Sequence, residues 1–181
     1  MATISIIVTT YNIEAYVEQC LQSVAAQTLA DIEVLVGDDG STDSTPAKIE
    51  AFAATDSRFV PVLLAENSPG GVATAANAGL DRATAPWVGF VDGDDFIEPT
   101  MFERLVDAAT THDADLAMCQ YQEVDEASGE RKQPADANRW ADLDRDVYRL
   151  DVDNRKAFLR FISVPWRKIY RRDLLEENKI R

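Results

Sequence analysis

The stretch WVGFVDGDDFIEP, residues 87–99, passes from an apolar run straight into three aspartates within four residues. Its first six residues have the pattern of a short strand buried on both faces. Asp92, Asp94 and Asp95 then concentrate negative charge at the end of that strand. Carboxylates packed so closely repel one another, so they either face open water or share a cation. Working outward, the runs TISIIVTT (3–10), IEVLVGD (32–38) and FVPVLL (59–64) have the same strand character. Between them lie helical spacings. Val17, Cys20, Leu21 and Val24 form one apolar face; Pro46 with Ile49 and Phe52 forms a second helix, opened by Ser44 or Thr45 as cap. A third helix is expected over residues 72–82 and a fourth over 100–111, where Met101, Phe102, Leu105, Val106 and Ala109 share a face. The βαβαβαβα order predicts right-handed crossovers and an α/β fold, an open, mostly parallel sheet flanked by helices.

In such a sheet ligands gather at the carboxyl ends of the strands. Thr9, Tyr11 and Asn12 follow the first strand, Asp38 and Asp39 the second, and Asp92, Asp94 and Asp95 the fourth, so one site can collect all three groups. Hard carboxylate oxygens suit Mn²⁺ or Mg²⁺ bridging a diphosphate. Asp92 and Asp94 would point to one side if the strand continued through them, and Gly93 would leave room for a ligand to approach the backbone. Each acidic stretch also has a plainer reading, as an Asp-Gly turn leading into a helix cap.

Composition narrows the function. The chain has 181 residues, enough for one domain, and its 32 acidic against 18 basic residues give a net charge of −14, which disfavours nucleic-acid binding. His112 is the single histidine and reads as a surface residue at a helix end, which argues against a His-rich zinc site or a Ser-His-Asp triad. Neither a P-loop nor a G-x-G-x-x-G fingerprint occurs. Cys20 and Cys119 read as buried free thiols. No apolar run approaches the ~20 residues of a membrane span, and the N-terminus lacks a signal-peptide pattern, so the expected location is cytoplasmic.

From Leu116 the pattern changes. A strand leads into a polar hairpin or loop, QPADANRWADLDRD is a charged excursion, and the tail reads as helical on either side of Val164-Pro165.

Together these motifs resemble the family-2 glycosyltransferases of the GT-A fold. SIIVTTYN looks like the family's opening strand, and QTLADIEVLVGDDGSTDST is similar to its Q-T-x-x-D-x-E…DDGSTD segment. NSPGGVATAANAGLDRATAPWVGFVDGDDFIEP matches N-x-G-x-x-x-A-R-N-x-G…D-x-D-D, and PWRKIYRRDLL looks like W-x-K-[LI]-Y-[RK]-R-x-x-L. The resemblance implies a metal-dependent, inverting transferase that uses a nucleotide-sugar donor, a UDP-sugar, to extend a cell-surface or secreted glycan at a hydroxyl acceptor. Carried over, it makes Thr9, Tyr11 and Asp39 the nucleotide-binding residues, with Asp39 accepting from the uracil imide. Asp92 would contact ribose or a metal-bound water, and Asp94 would ligate Mn²⁺ or Mg²⁺ on the diphosphate. Asp95 would orient the loop or the donor sugar, or cap the next helix.

Two departures stand out. Ala76 occupies the arginine position of A-R-N-x-G, and Lys168, Arg167 and Arg171 are the cations that would compensate. The carboxylate expected as general base after the W-x-K motif is not identified, leaving Glu176 and Glu177 as substitutes. Residues 1–115 are thus expected to form a nucleotide-sugar-binding half, and residues 116–181 an acceptor-side extension incomplete at its C-terminus, with peripheral membrane association through a missing segment. The alternative is a nucleotide-sugar-binding module without efficient transfer; a nucleotidyltransferase or pyrophosphatase is a weaker third reading.

Overall fold

The computed structural model describes residues 1–152, 155–158, 160–161 and 164–181. The central strand β1 (Ile4–Thr10) is buried along its whole length, as expected of an apolar run flanked by strands on both sides. Around it, β2 (Ile32–Asp38), β3 (Phe59–Leu63) and β4 (Trp87–Asp92) pair in parallel, joined by α1 (Val17–Ala25), α2 (Thr45–Ala53) and α3 (Val72–Leu80). After β4 come α4 (Met101–Thr111) and β5 (Leu116–Met118). A two-stranded hairpin of β6 (Glu123–Val124) and β7 (Arg131–Lys132) follows, with the short helices α5 (Ala137–Ala141) and α6 (Arg155–Phe158). The chain returns through β8 (Lys168–Arg171) and α7 (Arg172–Glu177). The main sheet has six strands in the order β3-β2-β1-β4-β8-β5, with β8 antiparallel to both of its neighbours. This is the mostly parallel, helix-flanked GT-A arrangement.

Two apolar layers hold it. On one face Ile4, Ile6 and Val8 pack with Val17, Cys20, Leu21 and Val24 of α1, Ile49 of α2 and Phe102 and Leu105 of α4. On the other, Ile7, Leu35, Val62 and Val88 meet Ala78 and Leu80 of α3 and Leu175 of α7. Alternation along each strand therefore decides which layer a side chain serves and, at the strand ends, which side of the site it reaches.

Three local expectations change. The segment after Pro165 is a strand before it is a helix. Ile169 pairs with Gly89 and Ala117, so a period-two pattern buried between two strands overrides the helical spacing. Neither Ser44 nor Thr45 caps α2 with its own side chain; Asp43 accepts from Thr45 N at 2.9 Å instead. Cys20 is fully buried and Cys119 only partly, and both are free thiols. His112 is exposed at the end of α4, as its setting suggested. Among the described residues no helix is long and apolar enough to cross a membrane.

Candidate functional site

The carboxyl ends of β1, β2 and β4 meet, and polar side chains tie them together. Asn12 takes a left-handed conformation (φ 49°), which brings its side chain round to accept from Thr42 N at 2.8 Å, while its own N–H donates to Ser41 Oγ at 2.8 Å. Asp43 accepts from Glu14 N at 3.1 Å, and Glu14 accepts from Ser44 Oγ at 2.6 Å. Thus the loop after β1 is clasped to the DDGSTDST loop after β2. Asp38, 1% exposed, accepts from Thr10 Oγ1 at 2.8 Å and Ser41 N at 2.8 Å. The first aspartate of the pair is a loop brace.

Asp39 is equally buried, and both of its oxygens are engaged, by Asn67 Nδ2 at 2.9 Å and Ser68 N at 3.3 Å. It pins the β3–α3 loop to the end of β2. Gly40 lies between them with φ 70°, where a Cβ would fall 2.2 Å from the carbonyl carbon of Glu66. Each Asp39 oxygen still has a second lone pair for a ligand. Tyr11, by contrast, is 46% exposed beside these braces, its ring open to a ligand.

At the end of β4 Thr9 Oγ1 donates to Asp92 Oδ1 at 3.2 Å, joining the two central strands. The strand does not continue through Asp94. It breaks into a turn in which Asp95 N donates to Asp92 O at 3.0 Å, so the inference that Asp92 and Asp94 share a strand face fails. Gly93 also serves another purpose than expected. A Cβ there would stand 2.6 Å from Ile13 and 2.8 Å from Thr9 O, so the glycine lets the turn press on the chain's own β1 loop and leaves no room for a ligand.

Burial, opposed by the Thr9 hydrogen bond and reinforced by Asp94, raises the pKa of Asp92. Burial and then the charges of Asp94 and Asp92 push Asp95 up to about 6. Since Asp95 as a residue is exposed, the repulsion by its two neighbours is the cause that a hydrated site retains. Asp94 is itself exposed. Among the described residues no three His, Cys, Asp or Glu side chains are placed to hold a metal unaided. The donor set nonetheless fits Mn²⁺ or Mg²⁺, ions that one or two carboxylates bind together with phosphate oxygens and water. A turn whose charges repel is the setting in which a divalent cation is favourable.

Beside Thr9 and Asp92 opens a cleft of about 310 Å³, lined by Ala76 and Leu80 of α3, Phe90, Tyr170 and Leu175. Phe90 and Tyr170 form its aromatic wall, edge to face at 6.1 Å. Ala76 lines this cleft, at the place where the motif comparison leads one to expect an arginine. The hairpin reaches the opposite side of the acidic turn, where Tyr16 donates to Glu126 at 2.8 Å and Arg131 pairs with Glu98 at 3.3 Å. Glu176 is exposed and ion-paired with Arg172 at 2.8 Å, and Glu177 is exposed; of α7, it is Leu175 that lines the cleft.

Several motif residues prove to be framework. Gln27 accepts from Phe102 N at 3.1 Å and donates to Glu98 O at 2.9 Å, while Thr28 N donates to Pro99 O at 2.8 Å, so the Q-T pair fixes the segment after the acidic turn. Glu33 accepts from Ser5 Oγ, from Thr84 N at 2.7 Å and from Ala85 N at 3.1 Å, locking the entry to β4. Their presence in the quoted motif was the only signal; composition and periodicity carry none for such braces. Asn67 and Ser68, which hold Asp39, are likewise invisible to periodicity.

The model of the family described as Glycosyl transferase family 2 matches residues 5–178. EpsJ of Bacillus subtilis (strain 168), an uncharacterised glycosyltransferase, is 32% identical over 178 residues, 98% of this chain and 50% of that protein. YibD of Escherichia coli (strain K12), another uncharacterised glycosyltransferase, is 32% identical over 182 residues, 98% of this chain and 51% of its own length. The chain therefore spans about half the length of these relatives. Among solved structures, S. aureus TarS 1-349 in complex with UDP-GlcNAc superposes with a TM-score of 0.74 at 28% identity, covering 99% of this chain and 48% of TarS 1-349. The mannosyltransferase PcManGT from Pyrobaculum calidifontis, in complex with GDP-Man and Mn²⁺, shares the fold with a TM-score of 0.67 at 23% identity, covering 97% and 46%.

Proposed function

The chain belongs to glycosyl transferase family 2, and on that premise we propose that it binds a UDP-sugar at the carboxyl edge of β1, β2 and β4 for metal-dependent, inverting transfer to a hydroxyl of a cell-surface or secreted glycan. The observation that carries this reading is the convergence of Thr9, Asp39 and Asp92 on one edge of the sheet, next to the acidic turn of Asp94 and Asp95. UDP-GlcNAc in the similar TarS supports the uridine donor. Thr9, Tyr11 and Asp39 hold the nucleoside, with Asp39 taking the uracil imide N–H on a remaining lone pair. Asp92, oriented by Thr9, faces ribose or a metal-bound water, and Asp94 ligates Mn²⁺ or Mg²⁺. When bound, that ion would neutralise the charge developing on the departing diphosphate. Residues 1–115 serve the donor and residues 116–181 the acceptor side.

The test is calorimetry of UDP with Mn²⁺ and with EDTA, followed by donor turnover. UDP binding should require the cation, Asp94→Ala should abolish that requirement, and Asp92→Ala should weaken binding less. Equal UDP affinity in EDTA and Mn²⁺ would sink the metal assignment. A second reading, a nucleotide-sugar-binding module without efficient transfer, is favoured by one observation: neither glutamate of α7 faces the cleft. Loss of general-base help removes roughly 10²–10⁴-fold in rate. Multiple-turnover transfer by this chain alone would exclude the second reading.

A further inference from the structure

Lys168 opens β8, and the antiparallel pairing of Tyr170 with Val88 and Ile169 with Gly89 carries it one step further along β4, beside Phe90 at the carboxyl edge. Alternation settles its face. Ile169 belongs to the apolar layer under α1 and α4, whereas Tyr170 packs with Phe90 on the other layer. Two residues before Tyr170, Lys168 stands on the same face as Phe90 and Asp92. Two residues of strand rise and one strand spacing put the Lys168 and Asp92 α-carbons about 8 Å apart. The flexible four-carbon stem of a lysine can bring its ammonium to an anion bound beside Asp92.

What surrounds Lys168 does not satisfy it. It is only part-exposed, and among the described residues its ammonium makes neither an ion pair nor a hydrogen bond. Its neighbour Arg167 is 1% exposed and paired with Asp136 at 2.6 Å, so that cation is committed to the fold. Arg171 is paired with Asp113 and Asp115, at the other end of β8. Burial, with the charge of Arg167, lowers the pKa of Lys168, as expected of a cation that is losing water without gaining an anion. Ala76, which lines the cleft beside Thr9 and Asp92, supplies only a methyl group.

We infer that Lys168 is the residue that receives the donor's diphosphate, an anion-binding group placed opposite the acidic turn so that the phosphates lie between the ammonium and the metal-bearing carboxylates. The inference rests on the donor reading above. An ammonium is well suited to this role, as a compact point charge with three donors that follow a phosphate as it leaves.

The experiment compares UDP with uridine, in Mn²⁺, by NMR titration of the whole chain carrying Lys168→Met, which keeps the part-buried stem, and Lys168→Arg, which keeps the charge. Lys168→Met should weaken UDP about 10- to 100-fold, the loss of one charge-assisted contact, while uridine affinity stays unchanged. Lys168→Arg should restore most of the UDP affinity. If Lys168→Met binds UDP as the wild type does, or loses UDP and uridine in equal measure, the diphosphate role is overturned while the donor reading stands. If the wild-type chain binds no UDP, the donor reading itself falls, and this role with it.

Discussion

Asp39 is bound by its own chain before any nucleotide arrives, and this gives it two separable roles. Asn67 and Ser68 occupy one acceptor site on each oxygen, so Asp39→Ala takes the charged acceptor away from the Asn67 amide and the Ser68 N–H. That variant should lose about 1–3 kcal/mol in urea unfolding with no ligand present. Asp39→Asn, which keeps one acceptor oxygen, should narrow the preference for UDP over CDP, measured by calorimetry; equal binding of both bases by the wild type would remove the assignment. Glu33 shows the same logic away from the site. Burial acts to raise its pKa, but hydrogen bonds from Ser5, Thr84 and Ala85 outweigh it and lower the value below 4.5. A carboxylate depressed in the folded state contributes stability above its unfolded pKa, and that contribution is lost as pH falls through the folded value. The wild type should therefore lose stability below pH 4.5 more steeply than Glu33→Gln, as read from urea midpoints between pH 3 and 6. The legibility of single residues followed the same division. Thr9, Asp92 and Asp94 were visible because polar groups at the mouth of an apolar strand demand a reason. The packing role of Gly93 was not, since what a missing Cβ would strike is a tertiary fact.

At the scale of elements, periodicity sufficed wherever burial on both faces wrote an unbroken apolar run. Residues 32–38 and 87–92 have the expected bounds as β2 and β4, and every apolar position marked in α1 is buried. It failed after Pro165, where the four residues Lys168–Arg171 are too few to show a period and their state is decided by β4 and β5 on either side. The loops are held by residues that leave no periodic trace. Gln27 is the clearest, a side chain in the α1–β2 connection that satisfies the first turn of α4 and the chain leading into it. Gln27→Ala should cost about 1–3 kcal/mol by leaving the buried N–H of Phe102 without its acceptor. Hydrogen exchange should localise the loss to the N-terminal turn of α4, whereas a uniform loss across the sheet would contradict this assignment.

At the scale of the whole molecule, the parallel half and the region beyond β5 are stabilised by different means. The first is an apolar sandwich; the second gathers round Arg167, whose guanidinium lies 5.3 Å from the Tyr121 ring, 5.7 Å from Phe161 and 6.0 Å from Trp140 while paired with Asp136. Removing one partner of a buried pair costs about 3–5 kcal/mol. Asp136→Ala should accordingly raise exchange in residues 121–152 and leave β1 to β4 protected; unchanged exchange there would show that the pair is not what fastens this region. The placement of β8 has a temporal consequence as well. It lies between β4 and β5, so β5, though made some fifty residues earlier, has no edge to join until β8 has been synthesised and inserted. Pairings of such long sequence separation form late. On the ribosome, the four parallel strands would thus close into a sheet whose β4 edge stays exposed while about seventy-five further residues emerge, a window for mispairing that a nascent chain must survive. In pulse-labelled refolding, amides of β1 and β2 should gain protection before those of β5, and simultaneous protection would rule this order out.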